Sequence, residues 1–270
     1  IITGSSAFDL QQTGEPLTGR SITYTMFPPA QMELAKRENI IQTKQLLDER
    51  LVFGSYPEVI TLPTLSEKQQ YLVELINTYL LKDILAFENI RNPQQLKDLL
   101  VLLAYQVGSE ASLDELGRQL GLSKNTVGRY LDLLSKVFVI YNRRGYSKNL
   151  RKEVTKSSRW YFYDNGIRNA LVSNFNLPAL RQDMGMLWEN YIASERIKYN
   201  TYKHHLVNSY FWRTYDQQEI DLIEEQNAVL SAYEFKWKEE KVKVPVAFAK
   251  AYPGVPFSVI HSKNYLGFII

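Results

Sequence analysis

The stretch 219–238, EIDLIEEQNAVLSAYEFKWK, decides the reading of this chain. Apolar residues alternate with polar ones in two runs, Ile220 and Leu222, then Tyr233, Phe235 and Trp237, and a period of two is that of half-buried β-strands. Gln226 and Asn227 lie between the runs and supply a turn, so the stretch predicts a hairpin. An acid on the first strand, Asp221, then faces Glu234 and Lys236 on the second. Two carboxylates can hold Mg²⁺ and leave positions for water and phosphate. A lysine on the same face can orient the attacking water or offset charge on the phosphorane. Asp221 and Glu234 are therefore candidate metal ligands and, with Lys236, candidate catalytic residues, and Glu219 extends the acidic face.

An Asp followed by Glu-x-Lys resembles the core motif of the PD-(D/E)xK nuclease fold. The segment GMLWENYIASERIKY (185–199) predicts an amphipathic helix with Leu187, Tyr191 and Ile192 inward. The resemblance implies that Glu189, on that helix, assists as an additional metal-site acid. YFWRTY (210–215) predicts a strand ahead of the hairpin. Downstream, PVAFAKAY predicts a helix, PFSVIHS a strand, and the terminal GFII a last apolar run that closes the sheet. The plainer alternative is a solvated charge cluster, since opposite charges paired across strands stabilise modestly.

With 45% hydrophobic residues over 270 positions, the chain can form two or three compact units. No apolar run reaches the length that spans a bilayer, and no leader peptide opens the sequence, so the expectation is a soluble cytoplasmic protein with no membrane partner. The absence of cysteine excludes disulfide frameworks, zinc knuckles and thiol nucleophiles, and His204, His205 and His261 do not form a ligand set. A net charge of +3 carries little, so any nucleic-acid reading rests on where the basic residues gather.

Along the chain, residues 1–30 hold two short apolar runs around TGEPLTGR, and Ile1-Ile2 reads as a strand in progress that runs into Thr3-Gly4-Ser5-Ser6. Residues 31–107 turn helical, with Pro57, Pro63 and Pro93 as punctuation and Ser66 as the expected cap of a helix carrying Leu72, Leu75 and Tyr79. Ser112 opens a capping box, and 113–149 reads helix, tight turn at Gly121, helix, strand and basic hairpin, a winged helix-turn-helix. Its second helix would offer Lys124, Asn125, Thr126 and Arg129 to a major groove, and its wing, with Arg143, Arg144, Lys148, Arg151, Lys152, Lys156 and Arg159, would meet phosphates. The same module can instead dock protein. Residues 160–177 predict an aromatic strand and a helix that Asp164 caps, and a last unit spans 178–270.

The order of these parts, with ITGSSAFDL, LTGR, FGSYPEV, YLLKDI, WYFYDNGIRNAL, LWENYI, EIDLI and YEFKWK, resembles the C-terminal part of prokaryotic AAA-type P-loop ATPases that carry a C-terminal domain of unknown function (DUF4143-like). The resemblance implies an α/β multidomain protein. Its parts would be the edge of an AAA-type core (1–30), a helical lid or connector (31–107), a winged helix (108–177) and a PD-(D/E)xK restriction-endonuclease-like domain (178–270). It places Ser5 or Ser6 at the position that senses the γ-phosphate and Arg20 near the nucleotide. No GxxxxGK[ST] occurs in this sequence, so ATP binding is expected only with an N-terminal ATPase core as partner. The function implied is DNA association with a Mg²⁺-dependent nuclease-like site, in a protein that can also oligomerise. The alternative is a non-catalytic, ATP-switched module that binds DNA or protein through a degenerate nuclease fold.

Overall fold

The computed structural model describes Ile22 and residues 24–80, 92–147 and 158–270. Helices take up most of the described residues as far as Lys136, and a mixed sheet of seven strands, the first at Glu110–Ala111, organises most of the described chain after it. The strands are β1 (Glu110–Ala111), β2 (Ile140–Gly145), β3 (Ser158–Phe162), β4 (Asn208–Arg213), β5 (Glu219–Gln226), β6 (Val229–Phe235) and β7 (Phe257–Ile260). Their order across the sheet is β1-β3-β2-β4-β5-β6-β7, with β2/β4 and β6/β7 parallel and the other neighbours antiparallel. One sheet therefore joins the hairpin β2–β3 to the hairpin β5–β6. The join is the short parallel pairing Arg144↔Tyr210 and Gly145↔Phe211.

The local rules that start and stop these elements are visible. Asn92 caps helix Pro93–Tyr105 through Gln94 and Gln95, Pro93 occupies its first turn, and Leu96, Leu99, Leu100 and Leu103 make a buried stripe at helical spacing. Helix Leu113–Leu120 starts on the Ser112 hydroxyl and stops at Gly121, whose φ of 65° is the left-handed conformation that ends helices. Ser123 caps the next helix, Lys124–Lys136.

Three expectations are corrected here. Helix Leu65–Glu74 is capped by Thr64, not Ser66, because Thr64 and Glu67 bond each other's backbone N–H reciprocally. The β5–β6 turn is Asn227–Ala228, both at positive φ, which suits the twist of a two-residue hairpin. The terminal apolar residues form a helix, Leu266–Ile269, instead of an added strand. Its Phe268 carbonyl accepts a hydrogen bond from Arg196 (2.7 Å), and Phe268 and Ile269 are buried.

Buried amides hold the helical part to the sheet. Asn190 clamps both backbone groups of Phe162 (2.8 and 3.1 Å) and donates to Asn165 (2.7 Å). Asn165 and Asn169 donate to the Leu51 and Val52 carbonyls at the end of helix Leu47–Phe53. Asp164 caps helix Asn165–Leu171 through Gly166 and Ile167 and accepts from Ser55 N–H (2.7 Å). The segments FGSYPEV, WYFYDNGIRNAL and LWENYI thus meet in one polar staple, in which every bond satisfies a buried backbone group or amide.

Asp183 closes the same region. It accepts from Arg168 (2.5 Å) and from Arg181 (2.8 and 2.9 Å), whose side chains are buried. Burial pushes its carboxyl up, but the hydrogen bonds and charges of Arg181 and Arg168 outweigh that and hold it below its ordinary value. A depressed folded-state pKa gives stability that is present above the unfolded value and lost as pH falls through the folded one. Asp183→Asn will therefore cost about 1–3 kcal/mol at neutral pH. That cost will shrink at a pH below the carboxyl's ordinary value, as urea unfolding at the two pH values will show.

Candidate active site

The acids and the lysine of the hairpin come together where β5 leaves regular pairing. Opposite Tyr210 and Trp212 of β4 stand Ile223 and Ile220, so β5 carries one extra residue across this interval. Such a β-bulge re-aims the side chains within it. The β5–β6 ladder ends at Leu222↔Tyr233, one step short of Asp221 and Glu234. There the Asp221 carboxylate itself accepts the Phe235 N–H (2.8 Å). Residues 220–224 are all buried, so the bulge, not a simple inward and outward alternation, sets where Asp221 points.

Glu234 lies at this junction with its carboxylate 2.9 Å from Lys236 Nζ. Burial, then the charge of Asp221, pushes the Glu234 carboxyl up to about 7 despite Lys236. Burial likewise raises Asp221, against the Phe235 N–H and the Arg159 and Lys236 charges. Burial alone would lower Lys236, but the hydrogen bond to Glu234 and the charges of Glu234 and Asp221 win, so its ammonium sits above its ordinary value. Lys236 is thus a fixed cation and not a proton acceptor at neutral pH. Lys236 and Glu219 form the accessible rim, 37% and 44% exposed, over Asp221 and Glu234 at about a tenth.

Glu189, on helix Met184–Tyr202, adds a carboxylate from outside the hairpin. It accepts from Tyr161 Oη (2.7 Å), and burial followed by the Asp221 charge pushes it up to about 8. Between the acids stands Arg159 of β3, 3% exposed. Its guanidinium is 2.6 Å from Glu219, 3.5 Å from Asp221 and 3.6 Å from Glu189, and it lies over the Phe211 ring. Arg143 of β2 is buried as well, stacked over Tyr161 and donating to the Asp221 carbonyl (3.2 Å).

The expectation that Arg143 and Arg159 face phosphates is therefore corrected: both guanidiniums are buried, Arg159 among the acids of the site and Arg143 on the Tyr161 ring and the Asp221 carbonyl. The signal was present, since Arg143 shares its phase along β2 with buried Tyr141 and Gly145. Arg159 and Tyr161 are the site residues whose roles the spacing of the motif did not give. Arg144, Lys124, Asn125 and Arg129 are exposed and Thr126 is half-buried, with Lys124 in a surface ion pair to Asp114 (3.0 Å). Ser5, Ser6, Arg20, Lys148, Arg151, Lys152 and Lys156 lie outside the described residues. Among the described residues no three His, Cys, Asp or Glu side chains converge as a metal-holding group, and no helix is long and apolar enough to cross a membrane.

Comparison with known proteins finds two family matches along the chain. Residues 44–178, half of its length, match the family described as Domain of unknown function (DUF8612). The chain belongs to that family. Residues 184–262 match the Domain of unknown function (DUF4143), so β1–β3 of this DUF8612 member fall in one match and β4–β7 in the other, within one sheet. Similar curated proteins are uncharacterized proteins of Haemophilus influenzae (25% identity, 62% of this chain and 44% of the relative), Mycobacterium tuberculosis (27%, 68% and 41%) and Methanocaldococcus jannaschii (24%, 72% and 46%). The chain spans less than half the length of these relatives. No solved structure matches.

Proposed function

We propose that this chain is the DNA-engaging part of an ATPase-linked protein and that Asp221, Glu234 and Lys236 form a divalent-ion-dependent phosphodiesterase site. The observation that carries this reading is the junction itself. Two buried carboxylates lie on neighbouring strands, and burial first and then the charge of Asp221 push Glu234 up to about 7, with Lys236 2.9 Å from it. Such a donor set fits a divalent cation, which would offset that repulsion. Asp221 and Glu234 would hold the ion, Mg²⁺ in the cell, and its chemistry there is to polarise a phosphate and make a water more acidic. Lys236, held cationic, stabilises the negative charge that grows on the phosphate. Arg143 keeps the Asp221 backbone in place through its carbonyl, and Tyr161 fixes Glu189. The ATPase link rests on the DUF4143 match, a domain commonly found with AAA ATPase domains.

The DNA-binding element in this reading is a winged helix-turn-helix made of helices Leu113–Leu120 and Lys124–Lys136 with the hairpin β2–β3. Lys124, Asn125 and Arg129 on the second helix face the duplex and Arg144 meets a phosphate. The two neighbouring arginines separate the roles. Arg144→Ala will lower the slope of log K against log salt by about 0.9, whereas Arg143→Ala will cost about 1–3 kcal/mol of stability by stranding the Asp221 carbonyl. Fluorescence anisotropy across a salt series and urea unfolding check the pair.

The direct test is incubation with supercoiled, branched and single-stranded DNA in Mg²⁺ or Mn²⁺. Ion-dependent cleavage that Asp221→Asn removes is expected. Binding without cleavage of any substrate would instead favour the non-catalytic docking module, which draws on the neutralisation of the acids by Arg159.

A further inference from the structure

Asp221, Glu189 and Glu219 converge on the guanidinium of Arg159 and not on an open space. Arg159 reaches Glu219 at 2.6 Å, Asp221 at 3.5 Å and Glu189 at 3.6 Å, with the Phe211 ring against it at 4.7 Å. A guanidinium stays charged at every pH a protein meets, and at these distances it neutralises the acids as a bound cation would. The carboxylates fall into two sets that share Asp221. Glu234 is tied to Lys236 and lies with Asp221 at the end of the β5–β6 ladder, whereas Glu189 is tied to Tyr161 and Arg159. Consistent with this split, no three acids among the described residues converge as ligands of one ion.

We infer that Arg159 takes the place of a second divalent cation, so that the site accepts one ion, between Asp221 and Glu234, and Glu189 is a positioning residue for Arg159 and not a metal ligand. The inference rests on the phosphodiesterase reading of the same site. Two-ion centres place their ions about 3.5–4 Å apart and divide an acid between them. Here Asp221 is the divided acid and Arg159 is the tethered partner. Arg159 comes from β3, on the far side of β2 and β4 from Asp221, so the hairpin β2–β3 supplies part of the site. Residues 178–270 alone would lack it.

Titration of this chain with Mn²⁺, followed by calorimetry and by the electron paramagnetic resonance signal of the free ion, tests the assignment without reference to activity. One Mn²⁺ per chain is expected. Asp221→Asn and Glu234→Gln should each abolish binding, while Glu189→Gln should change the affinity by no more than about threefold, because Arg159 already balances that charge. Arg159→Met should admit a second Mn²⁺ at Glu189 and Asp221. Two ions in the parent chain, a loss of more than about tenfold in affinity in Glu189→Gln, or a folded Arg159→Met that still binds one ion would each overturn the inference and leave the phosphodiesterase reading standing. No Mn²⁺ bound by the parent would remove both. Should Arg159→Met fail to fold, the parent stoichiometry and Glu189→Gln decide the matter.

Discussion

Glu234→Gln and Lys236→Ala will each lower divalent-dependent DNA cleavage by about a hundredfold or more while duplex affinity stays within about threefold of the parent. The two effects have different origins. Glu234→Gln takes away one of two carboxylate charges on the ion and also the charge beside Lys236 that, with its hydrogen bond, raises that ammonium against burial. Lys236→Ala leaves the carboxylates in place and removes the cation that, in the proposed phosphodiesterase site, faces growing charge on the phosphate. Metal affinity separates them, falling in Glu234→Gln and holding or rising in Lys236→Ala, where a competing cation 2.9 Å from Glu234 is gone. Single-turnover cleavage, Mn²⁺ titration and anisotropy on the same preparations make the comparison. Cleavage by both variants at the parent rate would sink the assignment of chemistry to this junction.

How much of this was legible beforehand differs from residue to residue. The hairpin and its acids follow from local rules: alternation over β5 and β6, and an Asp and a Glu-x-Lys on the two strands. The Asp164 cap and the helix it opens follow likewise from a short polar residue ahead of a helical run. The direction of Asp221 does not follow, because it depends on a bulge that forms only when β4 pairs with β5. Burial of Arg143 and Arg159 was misread for a related reason. A basic hairpin reads as a solvated wing unless its strands continue into a larger sheet. The continuation here is two residue pairs between segments some 66 positions apart, Arg144 with Tyr210 and Gly145 with Phe211. No period within either segment encodes that pairing. The final apolar run is ambiguous in itself, since so short a run fits strand or helix, and the helix it forms is tied down from outside it, by Arg196 at the Phe268 carbonyl and by burial of Phe268 and Ile269.

The largest expected loss of stability is at Gly54, far from the chemistry in sequence. Gly54→Ala will destabilise the fold by at least about 3 kcal/mol, from backbone strain of about 1–3 kcal/mol and the loss of a buried capping network on top of it. Gly54 ends helix Leu47–Phe53 at φ 72° and ψ −156°, a conformation in which a side chain collides with its own backbone. A Cβ added there would also overlap the carboxylate of Asp164. Asp164 cannot retreat without cost. It accepts from Ser55, Gly166 and Ile167 N–H, and burial raises its pKa despite the Lys198 charge and these three bonds, so exposing its partners strands buried donors. Gly166 is fixed in the same way, since a Cβ there would overlap the Phe53 carbonyl. A double-mutant cycle isolates the contact. Asp164→Ala alone should cost about 1–3 kcal/mol as the cap and the Ser55 bond are lost. Combined with Gly54→Ala, it should cost less than the sum of the two, because truncation removes the atoms with which the new methyl collides and leaves only the strain at Gly54. Urea unfolding of the four proteins measures the coupling. Strict additivity would mean that Gly54 is required for its backbone angles alone and that the approach of Asp164 does not constrain it.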